Sequence, residues 1–162
     1  MNITIRNEHP NDHRVVETLV RDSFWNVYRP GCLEHYVLHT LRSDPAFVHE
    51  LNFVMELDGR IIGQNMFMRA AIAADDGRQI PVLCMGPICI ATDLQKRGYG
   101  KMLLDFAEEK VARQFDTVIV DASQPAKSLY LKRGYREKDY HQIKTENGDY
   151  LCYDVMEKSV HP

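Results

Sequence analysis

The segment Gln95-Lys96-Arg97-Gly98-Tyr99-Gly100-Lys101 places two glycines among three cations. It follows an apolar run, Pro81 to Ile90, and opens a helical pattern, Met102 to Phe115. It therefore reads as a loop between a strand and a helix N-terminus. Glycines there leave the backbone N–H groups open to a ligand, and the helix dipole favours an anion. Lys96, Arg97 and Lys101 add positive charge. The chemistry this spacing predicts is the binding of a phosphate, and more specifically of a pyrophosphate.

Two common phosphate motifs do not fit. A Walker loop ending in Gly100-Lys101 needs glycine at 95 and Ser or Thr at 102, where Gln95 and Met102 stand. A dinucleotide fingerprint starting at Gly98 needs glycine at 103, which is Leu103. The remaining pattern, Gln-x-x-Gly-x-Gly after a strand, resembles the pyrophosphate loop of the GNAT N-acetyltransferase superfamily. The usual upstream proline is Thr92 here. The resemblance implies that backbone at Ile88, Cys89 and Ile90 holds the pantetheine arm of acetyl-CoA. It also implies that the backbone of Gln95, Lys96, Arg97, Gly98, Tyr99, Gly100 and Lys101 holds the pyrophosphate.

A second segment, Ala126-Lys127-Ser128-Leu129-Tyr130-Leu131-Lys132-Arg133-Gly134-Tyr135, resembles the family's Ala-x-x-x-Tyr-x-x-x-Gly-aromatic signature. Ser123 stands where the family often has an asparagine. Ser123 and Ala126 join the expected cofactor contacts. The resemblance puts Tyr130 beside the thioester sulfur. A leaving thiol has a pKa of about 8.5 and a phenol one of about 10, so Tyr130 is suited to protonate the departing sulfur. A tyrosine that only packs helix on sheet is the plainer alternative.

A lysine-like amine, with a pKa of about 10.4, must lose a proton before it attacks. Many family members carry a glutamate for this on the strand before the loop, but Pro81 to Ile90 holds neither acid nor histidine. Asp121, Glu34, His35 and a water chain are the candidates. Asp121 equally suits a turn or cap, and Glu34 and His35 a helix surface. Trp25, Tyr28, Glu34 and His35 head an aromatic-rich stretch, Phe24 to His39, expected to meet the acceptor amine. An ordinary helix-pair core with a solvated rim explains the same residues.

Period and punctuation give the elements that must position these groups. Strands are predicted at Ile3 to Ile5, Asn52 to Leu57, Ile61 to Ala73, Ile80 to Ile90, Thr117 to Val120, Tyr140 to Ile143 and Tyr150 to Met156. Helices are predicted at Arg14 to Tyr28, Leu33 to Leu41, Gly98 to Gln114 and Ala126 to Lys132. Asp58-Gly59, Asp76-Gly77 and Asn147-Gly148 supply tight turns. Gly86-Pro87 inside a strand marks an edge irregularity or a bulge that frees backbone groups for an extended ligand.

This order implies an α/β (α+β) architecture of GNAT type. Its mixed, mostly antiparallel sheet is flanked by about four helices, and a splayed strand pair holds acyl-CoA. One domain over residues 1–162 is expected. Net charge of −3 argues against nucleic acid or an anionic membrane as a partner. No apolar run reaches the roughly 20 residues of a membrane helix, and the polar start lacks a signal-peptide core, so a cytoplasmic location is expected. None of Cys32, Cys84, Cys89 and Cys152 forms a C-x-x-C pair, which predicts neither metal nor disulfide. The expected partners are acetyl-CoA and an amine acceptor, with the chain a monomer or a homodimer. A CoA-binding sensor without turnover, or a transferase of longer acyl groups, are the competing functions.

Overall fold

The computed structural model describes residues 2–27, 30–144, 148 and 150–160. Strand β1 (Ile3–Asn7) pairs antiparallel with β2 (Phe53–Leu57), and β2 with β3 (Arg60–Asn65). Asp58 and Gly59 join the last two, both with positive φ (49° and 83°), as a tight hairpin turn requires. The two-residue β6 (Cys89–Ile90) completes this first sheet, in the order β1-β2-β3-β6. The second sheet runs β4 (Phe67–Ala73), β5 (Gln79–Met85), β7 (Thr117–Ser123), β9 (Tyr150–Ser159), β8 (Arg136–Lys144). Its pair β5–β7 is parallel, whereas β7 runs antiparallel to β9 on its other side.

Two expected strands are each broken in two. The run Ile61–Ala73 divides at Met66 into β3 and β4, and Ile80–Ile90 divides at Gly86-Pro87-Ile88 into β5 and β6. The breaks face each other, with the Gly86 N–H donating to Met66 O at 3.0 Å. Pro87 has no N–H to continue a ladder, so both strands change sheets at this point. The expected bulge at Gly86-Pro87 is thus a full crossing from one sheet to the other.

Helix α1 (His13–Phe24) is shorter than its apolar pattern predicts. Trp25 is extended at ψ 121° and Asn26 takes a left-handed φ of 56°. Asn26 then closes a loop with Gly31, N–H to O at 3.0 Å and Oδ1 from N–H at 2.8 Å. Val27 consequently faces solvent. On α2 (Glu34–Leu41) the buried residue is Leu38, whereas Tyr36, Val37 and the preceding Leu33 are exposed. Arg42, just past α2, donates to Glu8 and Glu17 and is nearly sealed from water. This buried charge cluster ties α1 and α2 to the start of the sheet; such clusters hold only when every partner is present.

Helices α3 (Tyr99–Val111) and α4 (Gln124–Lys132) complete the fold. Leu103, Leu104, Ala107 and Val111 of α3 join Ile90, Leu83, Val118 and Tyr130 in the main core. Val16 and Val20 of α1 with Leu38 of α2 form a second core that includes Cys89. Neighbouring residues of β6 therefore serve opposite faces, as alternation along a strand requires. Of the expected turn Asn147-Gly148, Asn147 lies outside the described residues. Among the described residues no helix is long and apolar enough to cross a membrane.

Candidate active site

The loop at 95–101 is built as its residues predict. Lys96 and Gly98 both have positive φ, 62° and 90°, which turns the chain sharply into α3. Gly98 is the helix N-cap, and among the described residues no side chain caps it. The first helical bond runs from Met102 N to Gly98 O at 3.1 Å. The N–H groups of Tyr99, Gly100 and Lys101 precede that ladder and point out of the helix end, free to meet an anion. A Cβ on Gly100 would touch only Ile90 Cγ1, at 3.7 Å, so the fold itself leaves that side open. Lys96 and Arg97 are exposed beside the loop, whereas Lys101 pairs with Asp105 at 2.6 Å.

The side chain of Gln95 has a partner within the fold. Its Nε2 donates to the carbonyl of Ile90 at 3.1 Å, which fastens the loop to β6. The same carbonyl accepts the Ser23 hydroxyl of α1 at 3.3 Å.

Beside the loop lies the gap between strands. Leu83, Cys84 and Met85 stand opposite Val118, Ile119 and Val120, and the β5–β7 register ends there. Strand β7 continues through Asp121, Ala122 and Ser123 paired with β9, while the chain after Met85 leaves through Gly86-Pro87-Ile88 to pair with β3. Two strands that are neighbours up to Met85 thus diverge over Ile88, Cys89 and Ile90. An extended ligand between diverging strands is a geometry in which main-chain groups supply the hydrogen bonds.

Helix α4 closes the far side. It starts directly from β7, with Ser123 as N-cap and Ala126 packed on the main core. Asp154, buried on β9, accepts Gln124 Nε2 at 2.7 Å and Lys127 Nζ at 2.9 Å, which pins the first turn. Tyr130 is 4% exposed, with its ring edge-on to Tyr135 at 5.2 Å between centroids.

Residues 49–137, more than half of the chain, match the family model described as an acetyltransferase (GNAT) domain. The chain belongs to this family. Solved structures share its fold at low identity. A GNAT family N-acetyltransferase from Escherichia coli in complex with CoA is 17% identical with a TM-score of 0.76, over 99% of this chain and 83% of the other. A GNAT family acetyltransferase from Brucella melitensis in complex with acetyl-CoA gives 18% and 0.73, over 99% and 90%. The ribosomal-protein-S18-alanine N-acetyltransferase from Escherichia coli gives 16% and 0.72, over 98% and 94%. No curated protein matches the sequence significantly.

Within this GNAT domain the candidate polar groups differ in setting. Asp121, the first residue of β7 past the last β5 rung, reaches the surface with its carboxyl half covered, and that partial burial raises it above the ordinary range, opposed by His141. Glu34 turns back on its own helix, its Oε2 accepting the Cys32 thiol at 3.1 Å and Leu33 N–H at 3.0 Å. His35 is half-buried, and its Nδ1 is sealed from water without a partner. Trp25 stands 54% exposed beyond α1, and Tyr28 lies outside the described residues. Burial pushes the Cys89 thiol up to about 12, with the Ser23 hydroxyl working against it, and the Cys84 thiol up to about 11. Both stay protonated near neutrality and are poor nucleophiles.

Two features of the site were not singled out from the sequence. Ser23 reaches Ile90 across 67 residues of chain, and no local pattern announces such a contact. Gln64 and Asn65, at the end of β3, are fully buried with their side-chain amides unpartnered. Their signal was available: a polar pair inside the apolar run from Ile61 to Met68.

Proposed function

We propose that this protein transfers the acetyl group of acetyl-CoA to a primary amine by direct attack. The observation that carries the reading is the divergence of β6 from β7 next to the uncapped start of α3. An extended arm ending in a pyrophosphate suits both at once. Backbone at Ile88, Cys89 and Ile90 would take the arm, and Gln95 to Lys101 the pyrophosphate. Ser123 and Ala126 would flank it at the start of α4. In the reaction the amine nitrogen bonds to the thioester carbon as the carbon–sulfur bond breaks. Tyr130 supplies the proton for the leaving sulfur, and Asp121 takes one from the amine. The raised pKa of Asp121 brings it nearer the range of a working base. Trp25, Glu34 and His35, with Tyr28, would meet the acceptor.

The test is release of free CoA thiol from acetyl-CoA with a panel of amines, with products read by mass spectrometry. Amine-dependent release and an acetylated product support transfer. Tight binding of acetyl-CoA without turnover on any amine would favour a sensor instead. Competition by longer acyl-CoAs sets the acyl preference.

A further inference from the structure

One peptide group joins the two halves of the site. The carbonyl of Ile90 accepts Gln95 Nε2 at 3.1 Å from the pyrophosphate loop and Ser23 Oγ at 3.3 Å from the last turn of α1. Ile90 is 7% exposed and pairs with Gly63 on the remaining side of its strand. Gly63 leaves no slack there. A Cβ on it would lie 2.7 Å from Ile90 Cδ1 and 3.3 Å from Cys89 O. The Ile90 peptide is therefore fixed by β3 on one side and by two side-chain donors at its oxygen. Ser23 is itself 9% exposed, and α1 packs on β6 and β3.

We propose that Ser23 is a positioning residue that couples the end of α1 to the cofactor loop through the Ile90 carbonyl. This rests on the reading of the loop as the acyl-CoA site. Trp25 follows Ser23 by two residues, so the coupled segment leads straight into the stretch expected to meet the acceptor. Cofactor binding that tightens the loop then also holds the end of α1. By reciprocity, an acceptor that steadies α1 raises affinity for the cofactor. No contact between Ser23 and the cofactor is needed.

The experiment uses the intact protein with CoA itself as the probe. Affinity is measured by calorimetry for wild type, Ser23→Ala, Gln95→Ala and the double variant. Amide hydrogen exchange is followed with and without CoA. Ser23→Ala is expected to weaken CoA roughly 2- to 10-fold, the range for one net hydrogen bond, and Ser23→Thr to restore it. The double variant should depart from the product of the two single effects, because both donors share one acceptor. In the wild type CoA should slow exchange both in the loop and at residues 20–27. In Ser23→Ala the loop should stay protected while 20–27 loses its CoA-dependent protection. Should Ser23→Ala lower Tm but keep wild-type CoA affinity and protection at 20–27, Ser23 is only a packing residue and the coupling is overturned. Wild-type protein that binds no CoA overturns the acyl-CoA reading together with the coupling, whereas binding without protection at 20–27 overturns the coupling alone.

Discussion

Gly86 and Met66 approach until no side-chain carbon fits between them. A Cβ on Gly86 would lie 2.9 Å from both Cγ and Sδ of Met66, which is fully buried. The Gly86 N–H already donates to Met66 O, so the backbones cannot part without losing that bond. Gly86→Ala should therefore destabilise the protein by about 1–3 kcal/mol, the range for overpacking a core. Combined with Met66→Ala, which removes the struck atoms, it should cost less than the sum of the two singles. Urea unfolding of the four proteins checks this. Additive losses would mean that Met66 does not set the requirement for glycine.

The two loop glycines should fail in different ways. Gly98 has a φ of 90°, and a side chain there is strained even though nothing lies within 4 Å of its Cβ position. Gly98→Ala should cost about 1–2 kcal/mol of stability. Gly100 lies inside the first turn of α3, where a Cβ meets only ordinary contact with Ile90. Gly100→Ala should hold or raise Tm, since alanine is the better helix former. It should nonetheless lower CoA affinity by about tenfold or more, because its methyl group occupies the open side of the helix end. Calorimetry and thermal melts separate the two effects. Wild-type CoA affinity in Gly100→Ala would sink the assignment of the loop.

What the sequence disclosed follows a physical division. The strand-to-helix loop was legible because Gly98, Gly100 and the cations act through local backbone and charge. Pro87 likewise announced a break, since a missing N–H is a local property. Met66 did not, because methionine carries no backbone preference of that kind and its break is visible only in the tertiary contact with Gly86. The end of α1 was misplaced for a related reason. Val27 continues the apolar period, but Asn26 adopts the left-handed region and ties itself to Gly31. The resemblance assigns only the backbone of Gln95 to the pyrophosphate, and the commitment of its side chain to Ile90 O depends on a tertiary approach that spacing does not encode.

Acid should weaken the fold in part through two paired carboxyls, Asp12 and Glu17. Arg6 donates to Asp12 at 2.6 Å and holds that carboxyl below the ordinary range. Burial alone would raise Glu17, but His39 and Arg42 outweigh it and leave Glu17 lowered as well. A carboxyl with a lower pKa folded than unfolded stabilises the protein above its unfolded value of about 4. That contribution disappears as pH falls through 4 and below the folded value. The urea midpoint should drop as pH falls below about 4. Asp12→Asn and Glu17→Gln should each start from a lower midpoint and fall less steeply. A variant whose acid slope equals that of the wild type would exclude its carboxyl from the transition.

Tyr130 sits 4% exposed on α4, and that helix is pinned at its first turn by Asp154 and followed by Arg133, which pairs with Asp105 and Glu108. A phenol held this firmly can protonate a leaving sulfur without first being ordered. Tyr130→Phe removes only the hydroxyl and keeps the ring that packs edge-on to Tyr135. We therefore expect kcat to fall by about one to two orders of magnitude while CoA affinity stays near wild type, the pattern of a group that acts in the transition state. Loss of Tyr130 should also make the rate depend on the leaving group. Thioesters of more acidic thiols need less help from an acid, so the deficit should shrink as the thiol pKa falls. A packing role would instead lower Tm and leave the deficit the same for every thioester. Steady-state kinetics over a thioester series, with melts of both proteins, decides between them.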